Sequence, residues 1–405
     1  MALEEYFRGG PMSPFWWVDQ STLYHNKLMV TLDHTVDEKK LKEAWEKTKR
    51  VYPLIDMVPD MVNGEIVFFR DGESIPPIES ESPVSPGSEL CKGRAFSLTY
   101  FDRSIALSSY HSVVDGGGVN IIFSTLIYFY LALYTGQEDV APPVQTKENR
   151  KPEEYYRSIS TIETSDYTQQ EMVSYKNRKG MFIDPEMVAD ENGEIQISRI
   201  TMRSADFVKA CKKIGANPSS MMALIMAKAA YKLHPDKKGD IAFVFTMSAR
   251  KTFGIPDTIA NCSTNILLPI EYEKVMGKDL SDAVKTIREM TDYQRSGDYI
   301  KTYAHFFETY DWILAKLYAI LTYVGTLDMG INTKHITSLE MTDDSVNSLF
   351  MIEMNGRFTM SVQFGKATGI YTKVIREILM GLGVDTELTT PPTRVPKDIS
   401  QIDDK

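Results

Sequence analysis

The feature that most constrains this chain is the segment 110–118, YHSVVDGGG, which places a histidine, an aspartate and three glycines between two apolar runs. Residues 96–110 predict two short strands joined by a turn at residues 102–103. Residues 119–134 carry no charge and repeat apolar side chains at helical spacing, which predicts a buried helix. His111 is therefore predicted to lie at a strand end, before a glycine-rich turn that leads into the helix.

His111 and Asp115 are the candidates for chemistry in this segment. Histidine is the side chain whose unperturbed pKa lies nearest neutral pH, which suits His111 to general base catalysis. Asp115 follows before the glycines, and Gly116 lets the backbone bend sharply or approach a substrate closely. The same pattern fits a core histidine with a satisfied hydrogen bond beside an aspartate that caps a helix. The pattern alone leaves both interpretations open.

His111, Asp115 and Gly116 resemble the HHxxxDG signature of the condensation-domain and alcohol acetyltransferase superfamily, which has the chloramphenicol acetyltransferase-like fold. The chain departs from the signature at Tyr110, which stands where the doublet has its first histidine. That departure argues against carrier-protein condensation, whereas the second histidine, which the family uses as its base, is retained. Other segments also resemble the family. Residues 36–44 resemble its opening helix, 52–54 its hPxL-like segment and 217–233 the first helix of its second half. Residues 248–250, 265–269 and 322–325 resemble its arginine, N-x-L-P and SNxG-like segments.

The resemblance implies an α/β (α+β) protein of two chloramphenicol acetyltransferase-like subdomains, each a mixed sheet flanked by helices, with the active-site channel between them. It implies that His111 takes the proton from an acceptor hydroxyl or amine as the acceptor attacks a thioester carbonyl. Asp115 is then a structural member of the catalytic loop with Gly116, and it pairs with Arg250. Thr322 is the candidate donor to the oxyanion. The plainer interpretations are a solvated strand-end charge for Arg250 and a helix-end hydroxyl bonded to its own backbone for Thr322.

Local signals predict the elements of each half. Asn-Gly pairs at 63–64 and 355–356 predict hairpins. Periodicity and caps predict helices at 38–51, 205–214 and 218–233 and a buried strand at 241–247. We predict an N-terminal subdomain carrying HxxxDG at 1–165, followed by a crossover linker at 166–194. A C-terminal subdomain at 195–388 and a flexible tail at 389–405 complete the predicted organisation.

Length, composition and charge limit the classes of function that fit this chain. A chain of 405 residues, 43% of them hydrophobic, has enough apolar residues for packed cores. Its net charge of −10 argues against nucleic-acid binding. The first residues lack the basic and apolar regions of a signal peptide, and the run 119–134 is shorter than a bilayer requires. We therefore expect a cytoplasmic protein without a membrane span.

Other chemistries lack their usual motifs. The three cysteines are widely spaced without CxxC, which favours reduced thiols and argues against zinc. The histidines other than His111 occur singly, at 25, 34, 234, 305 and 335, so no catalytic metal is predicted. The sequence contains no GxSxG, GxxxxGK[ST], HExxH or GxGxxG segment. These are the motifs typical of serine hydrolases, nucleotide hydrolases, zincins and Rossmann enzymes, so their absence argues against those four classes.

The expected function is a CoA-dependent O- or N-acyltransferase, with acyl-CoA as cosubstrate, an alcohol or amine as acceptor and no tightly bound cofactor. One alternative is a stand-alone condensation-type enzyme that takes its acyl group from a carrier protein. An acidic chain gives no indication of the basic docking surface that binding of a carrier protein needs. The other alternative, suggested only by Tyr110, is a catalytically silent binding protein of the same fold.

Overall fold

The computed structural model of the protein describes residues 4–11, 25–159, 162, 165–173, 184–188, 195–277, 279–305, 318–345, 347–388 and 393–395. Over these residues, helices flank three sheets, as the predicted α/β class requires. The helices are α1 (Glu38–Val51), α2 (Gly116–Thr135), α3 (Pro152–Tyr155), α4 (Ser204–Lys213), α5 (Pro218–Leu233), α6 (Tyr272–Met276), α7 (Leu280–Gln294), α8 (Gly297–His305) and α9 (Thr368–Gly381).

The strands of the N-terminal half are β1 (Glu4–Pro11), β2 (His25–Leu32), β3 (Val58–Val62), β4 (Glu65–Arg70), β5 (Ile78–Glu79), β6 (Phe96–Phe101) and β7 (Ser104–Tyr110). Those that follow are β8 (Ile195–Arg203), β9 (Ile241–Ser248), β10 (Ser263–Ile270), β11 (Ala319–Thr326), β12 (Ile336–Asp343), β13 (Ser348–Met354), β14 (Arg357–Gln363), β15 (Thr386–Leu388) and β16 (Thr393–Val395).

Local sequence signals place the first helix and both hairpins where they were predicted. Asp37 caps α1 by accepting a hydrogen bond from the backbone N–H of Lys40 at 3.2 Å. Asn63 and Gly64 both have positive φ, 54° and 81°, and they join β3 to β4 in a two-residue turn. The second Asn-Gly pair, at 355–356, joins β13 to β14 in the same way.

Three sheets organise the fold. The order β12-β2-β7-β6-β5 forms one sheet of the N-terminal half, and β1-β4-β3 forms a smaller one. The C-terminal sheet has the order β10-β9-β11-β13-β14-β8-β15, with β16 also on β8. Because β11 runs parallel to β9 and β13 while the other pairs of that sheet are antiparallel, the sheet is mixed, as predicted.

Strand β12 exchanges between the halves. It belongs to the predicted C-terminal part of the chain, yet it pairs antiparallel with β2 in the N-terminal sheet, with Met341 opposite Leu28. Arg199 of β8 donates to Glu340 of β12 at 2.7 Å, and this hydrogen bond connects the exchanged strand to the C-terminal sheet. The two halves are therefore interlocked, and residues about 300 positions apart in sequence become neighbours beside β2.

Helix α2 lies in the core. Its length and apolarity would suffice to cross a membrane, but about two thirds of its most apolar stretch is buried inside the fold. It begins at Gly116, three residues before the predicted apolar run, because Asp115 caps it. The predicted glycine-rich turn is wrong in this respect: residues 116–118 form the first turn of the helix.

The end of the chain adds a further strand. Of the predicted flexible tail, residues 393–395 form β16 and pair with β8 through Ile195–Ile197. The remainder of that tail, and residues 174–183 and 189–194 of the predicted linker, lie outside the described residues.

Candidate active site

His111 follows β7 directly and occupies a buried turn before α2. Its side chain is 9% exposed, and its neighbour Ser112 is 2% exposed. Strand β7 ends there because the N–H groups of Val113 and Val114 turn back to the carbonyl of Tyr110 at 3.1 Å. The predicted position of the histidine at a strand end is thus found.

Asn261, which the sequence analysis did not single out, lies against His111. Its Nδ2 donates to the backbone carbonyl of His111 at 2.8 Å and lies 3.3 Å from His111 Nδ1. The Oδ1 atom of Asn261 accepts from the backbone N–H and the hydroxyl of Ser263, at 3.0 and 2.8 Å. The side-chain amide of Asn261 thus binds His111 through Nδ2 and Ser263 through Oδ1. It therefore fixes the turn that carries the imidazole.

Burial makes the imidazole of His111 a neutral group. Loss of solvent lowers the pKa of His111, although the carboxylate of Asp115 and a hydrogen bond to the backbone of His111 itself act in the opposite direction. The unperturbed pKa of histidine is about 6.5, so the ring is unprotonated at neutral pH. A neutral imidazole can accept a proton, which is the first requirement of a general base.

The structure brings Asp115 and Arg250 together in a buried ion pair. Arg250 Nη1 and Nη2 donate to Oδ2 and Oδ1 of Asp115 at 2.8 and 2.6 Å. Gly118 N donates to Oδ1 and Cys262 N to Oδ2, at 2.7 and 2.8 Å. Burial would raise the pKa of Asp115, but Arg250 and these donors lower it below its usual value. With two donors on each oxygen, the carboxylate is engaged as a structural group.

Arg250 also binds the chain segment that approaches the start of α2. Its Nε donates to the carbonyl of Thr258 and its Nη2 to the carbonyl of Ala260, both at 2.8 Å. The guanidinium therefore connects the end of β9, the loop before β10 and the capping residue of α2. Arg250 is 6% exposed, so it is not a solvated strand-end charge.

The three glycines at the start of α2 are closely packed. A methyl group added at Gly118 would lie 2.0 Å from the carbonyl oxygen of Ile259, and one at Gly117 would lie 2.6 Å from Arg250 Nη1. At Gly116 it would lie 2.6 Å from the terminal methyl of Met341 on β12. The glycines let the loop before β10 and the exchanged strand approach the helix beside His111.

Tyr110, the residue before His111, is buried. Its ring stacks on His25 of β2 at 5.5 Å, and its hydroxyl occupies the space beside Gly87, where a methyl group would lie 1.5 Å from it. Burial raises the pKa of Tyr110 to about 12, so it remains a neutral phenol. Next to it, Asp344 binds Lys27 Nζ and His25 Nδ1 at 2.7 and 2.8 Å.

Thr322 lies on β11, not at a helix end. Its hydroxyl is 2.7 Å from the hydroxyl of Thr246 on the adjacent strand β9, and the two residues are direct partners in the sheet. Thr322 is thus placed in the strand next to the one that leads to Arg250. Its described hydrogen bond is to Thr246 and not to a residue of the HxxxDG segment.

No protein-family model matches the sequence, and no curated protein matches it significantly. Solved structures do. Polyketide synthase associated protein 5 from Mycobacterium tuberculosis is 13% identical, with a TM-score of 0.64 over 93% of this chain and 98% of that one. The F. sporotrichioides TRI101 structure with coenzyme A and T-2 is 9% identical, with a TM-score of 0.61 over 95% and 100%. The first condensation domain of the CDA synthetase is 13% identical, with a TM-score of 0.61 over 96% and 98%. The chain therefore shares the fold of these three proteins, one of which is a condensation domain, and this is the fold that its ordered motifs predict.

Proposed function

We propose that this protein is an acyltransferase that moves an acyl group from a thioester, acyl-CoA, to an alcohol or amine, with His111 as general base. The observation that carries the proposal is the buried, neutral imidazole of His111, held by Asn261 on a turn that the Asp115–Arg250 pair anchors. A base must be unprotonated and fixed in position before its acceptor arrives. Both conditions are supported by these contacts.

In the proposed step, the acyl group passes from the thioester sulfur to the oxygen or nitrogen of the acceptor. The acceptor O–H or N–H gives its proton to the imidazole while its lone pair forms a bond to the thioester carbonyl carbon. The resulting tetrahedral oxyanion collapses, the carbon–sulfur bond breaks, and the imidazolium returns the proton to the leaving thiolate. The products are the ester or amide and the free thiol.

Thr322 is the proposed oxyanion donor. Its hydroxyl lies 2.7 Å from that of Thr246, and a bond donated by Thr246 would leave the Thr322 O–H free to donate to an oxyanion. Loss of one such donor costs about 10²- to 10³-fold in kcat in comparable acyl transfers. Thr322→Val should lower kcat by that order with little change in KM, whereas Thr246→Val should have a smaller effect. Equal turnover by Thr322→Val and the wild type would remove Thr322 from the mechanism.

A coenzyme A donor is supported by two observations. The F. sporotrichioides TRI101 structure, which covers 95% of this chain, contains coenzyme A. The net charge of −10 disfavours long-range attraction of an acidic carrier protein.

Release of free thiol from acyl-CoAs tests the function. Purified protein is incubated with acetyl-CoA and longer acyl-CoAs, with and without a panel of alcohols and amines. We expect thiol release that depends on an acceptor. Release only from an acyl-loaded carrier protein would reassign the enzyme to the condensation type. No transfer from either donor would overturn the proposed activity.

A further inference from the structure

Asp33, His34 and His335 come together at the far end of β2 from the His111 turn. Asp33 and His34 follow β2 directly, and His335 ends the 3₁₀ turn at Ile331–His335 that precedes the exchanged strand β12. The backbone N–H of Asp33 donates to the carbonyl of His335 at 3.0 Å, which fixes the two segments together. Strand β2 has eight residues, so this cluster lies roughly 25 Å from the end that pairs with β7 beside His111.

The three side chains point their ligand atoms at one another. Asp33 Oδ1 lies 2.6 Å from His34 Nδ1, and Oδ2 lies 2.9 Å from His335 Nδ1. One ligand atom from each residue lies within 4.8 Å of the others. In a tetrahedral zinc site with bonds of about 2.0 Å, ligand atoms lie about 3.3 Å apart. Small shifts of these side chains would therefore bring them into that geometry.

The ring of His34 is held in place by groups behind it. Its Nε2 lies 3.2 Å from the hydroxyl of Tyr130, a fully buried residue of α2. The same hydroxyl accepts the backbone N–H of Asp37 at 3.0 Å. The ring also stacks on Tyr134 with centroids 3.6 Å apart and an interplanar angle of 5°. A metal-bound histidine usually donates its second ring N–H to a fixed acceptor, and Tyr130 is placed to be that acceptor.

We propose that Asp33, His34 and His335 bind a divalent transition-metal ion, for which zinc is the best fit. Two imidazoles and one carboxylate form a donor set suited to zinc and poorly suited to magnesium or calcium. The Asp33 side chain is 44% exposed, which leaves a path for a water molecule as fourth ligand. The ion would connect β2 to the turn before β12 and so strengthen the link between the exchanged strand and the N-terminal sheet.

The same three residues also form a hydrogen-bonded network without any ion, in which Asp33 bridges two histidines. The two cases differ in one measurable respect. A network alone gives no stoichiometric zinc binding, whereas a metal site does. The proposal is independent of acyl transfer, since it concerns the opposite end of β2.

The test is calorimetric titration of zinc chloride into tag-free full-length protein that has been treated with a chelator. We expect one zinc per chain and a melting temperature that rises with free zinc. His335→Ala and His335→Gln should each weaken binding at least 10-fold and abolish the rise. His305→Ala, which removes an exposed histidine at the end of α8, should bind zinc like the wild type. Magnesium should bind to none of them.

Tyr130→Phe probes the support of His34 without removing a ligand. Because outer partners of metal-bound histidines typically contribute 10- to 100-fold to affinity, we expect about 10-fold weaker zinc binding. Absence of stoichiometric zinc binding by the wild type would overturn the proposal. Zinc affinity unchanged in both His335 variants would overturn it equally, because the ion would then lie elsewhere.

Discussion

Asn261 and His111 lie 150 residues apart in sequence, yet the side-chain amide of Asn261 donates to the backbone carbonyl of His111 at 2.8 Å. This hydrogen bond joins the loop before β10 in the C-terminal half to the turn after β7 in the N-terminal half. It makes Asn261 a positioning residue for the imidazole, because the turn and the ring move together.

Asn261→Ala should lower kcat of acyl transfer about 10-fold or more and alter the acidic limb of its pH profile, since the ring loses a neighbour that favours one orientation. Ser263→Ala is the matched control. It removes one of two donors to Asn261 Oδ1 and leaves the backbone donor at 3.0 Å, so kcat should change much less. Equal kcat values and pH profiles for Asn261→Ala and the wild type would make the contact merely structural.

The elements that depend on neighbouring residues could be predicted from the sequence. Asp37 as the cap of α1 and the turn at Asn63-Gly64 are determined by side chains within a few positions. The position of His111 at the end of β7 follows from the same kind of signal. These features need no knowledge of the distant chain.

The contacts made by the distant chain could not be predicted in this way. Asn261 lies in a loop without periodicity, and its role arises only when the loop packs on the start of α2. The exchange of β12 onto β2 is likewise absent from any local pattern, since apolar and polar residues alternate around Met341 in the sequence as in any strand. The glycines at 116–118 suggested a turn, whereas their small size serves the approach of Ile259 and Met341.

Breaking the buried pair of Asp115 and Arg250 should lower the free energy of unfolding strongly. Asp115→Asn leaves an uncompensated guanidinium in the interior, at a cost of about 3 to 5 kcal/mol. The double variant Asp115→Asn/Arg250→Met should lose less than the sum of the two single losses. Urea unfolding of the four proteins measures this coupling.

The exposed pair of Glu38 and Lys42 provides the control for that cycle. Its partners are both about half exposed, so Glu38→Gln should leave the unfolding midpoint essentially unchanged. Strictly additive losses for the buried pair would mean that Asp115 and Arg250 stabilise the fold independently.

Gly118→Ala and Gly369→Ala should have effects of opposite sign. Both glycines lie in the first turn of a helix, but a methyl group at Gly118 meets the carbonyl of Ile259 at 2.0 Å, whereas at Gly369 it meets nothing within 4 Å. We expect Gly118→Ala to destabilise by about 1 to 3 kcal/mol. Gly369→Ala should stabilise by about 0.5 to 1 kcal/mol. Thermal melts of both variants check the prediction, which fails if both change in the same direction.

The lowered pKa of His111 predicts how activity and stability change with pH. Below its folded pKa, which lies under the ordinary value of about 6.5, the ring is protonated and transfer should stop. The unfolded chain binds this proton at higher pH than the folded one. The stability contributed by neutral His111 is therefore complete above about pH 6.5 and is lost as pH falls through the folded pKa. Profiles of kcat/KM and of the unfolding midpoint test both trends, and an acidic limb above pH 7 would contradict them.

The most direct measurement of the central claim is the rate of acyl transfer from acyl-CoA by His111→Ala, compared with the wild type and His305→Ala. All three proteins should melt cooperatively, which establishes that they are folded before the rates are compared. A positioned general base contributes about 10²- to 10⁴-fold, so His111→Ala should lose at least 10² in kcat while His305→Ala keeps the wild-type rate. Wild-type turnover by a folded His111→Ala protein would contradict the assignment of His111 as the base.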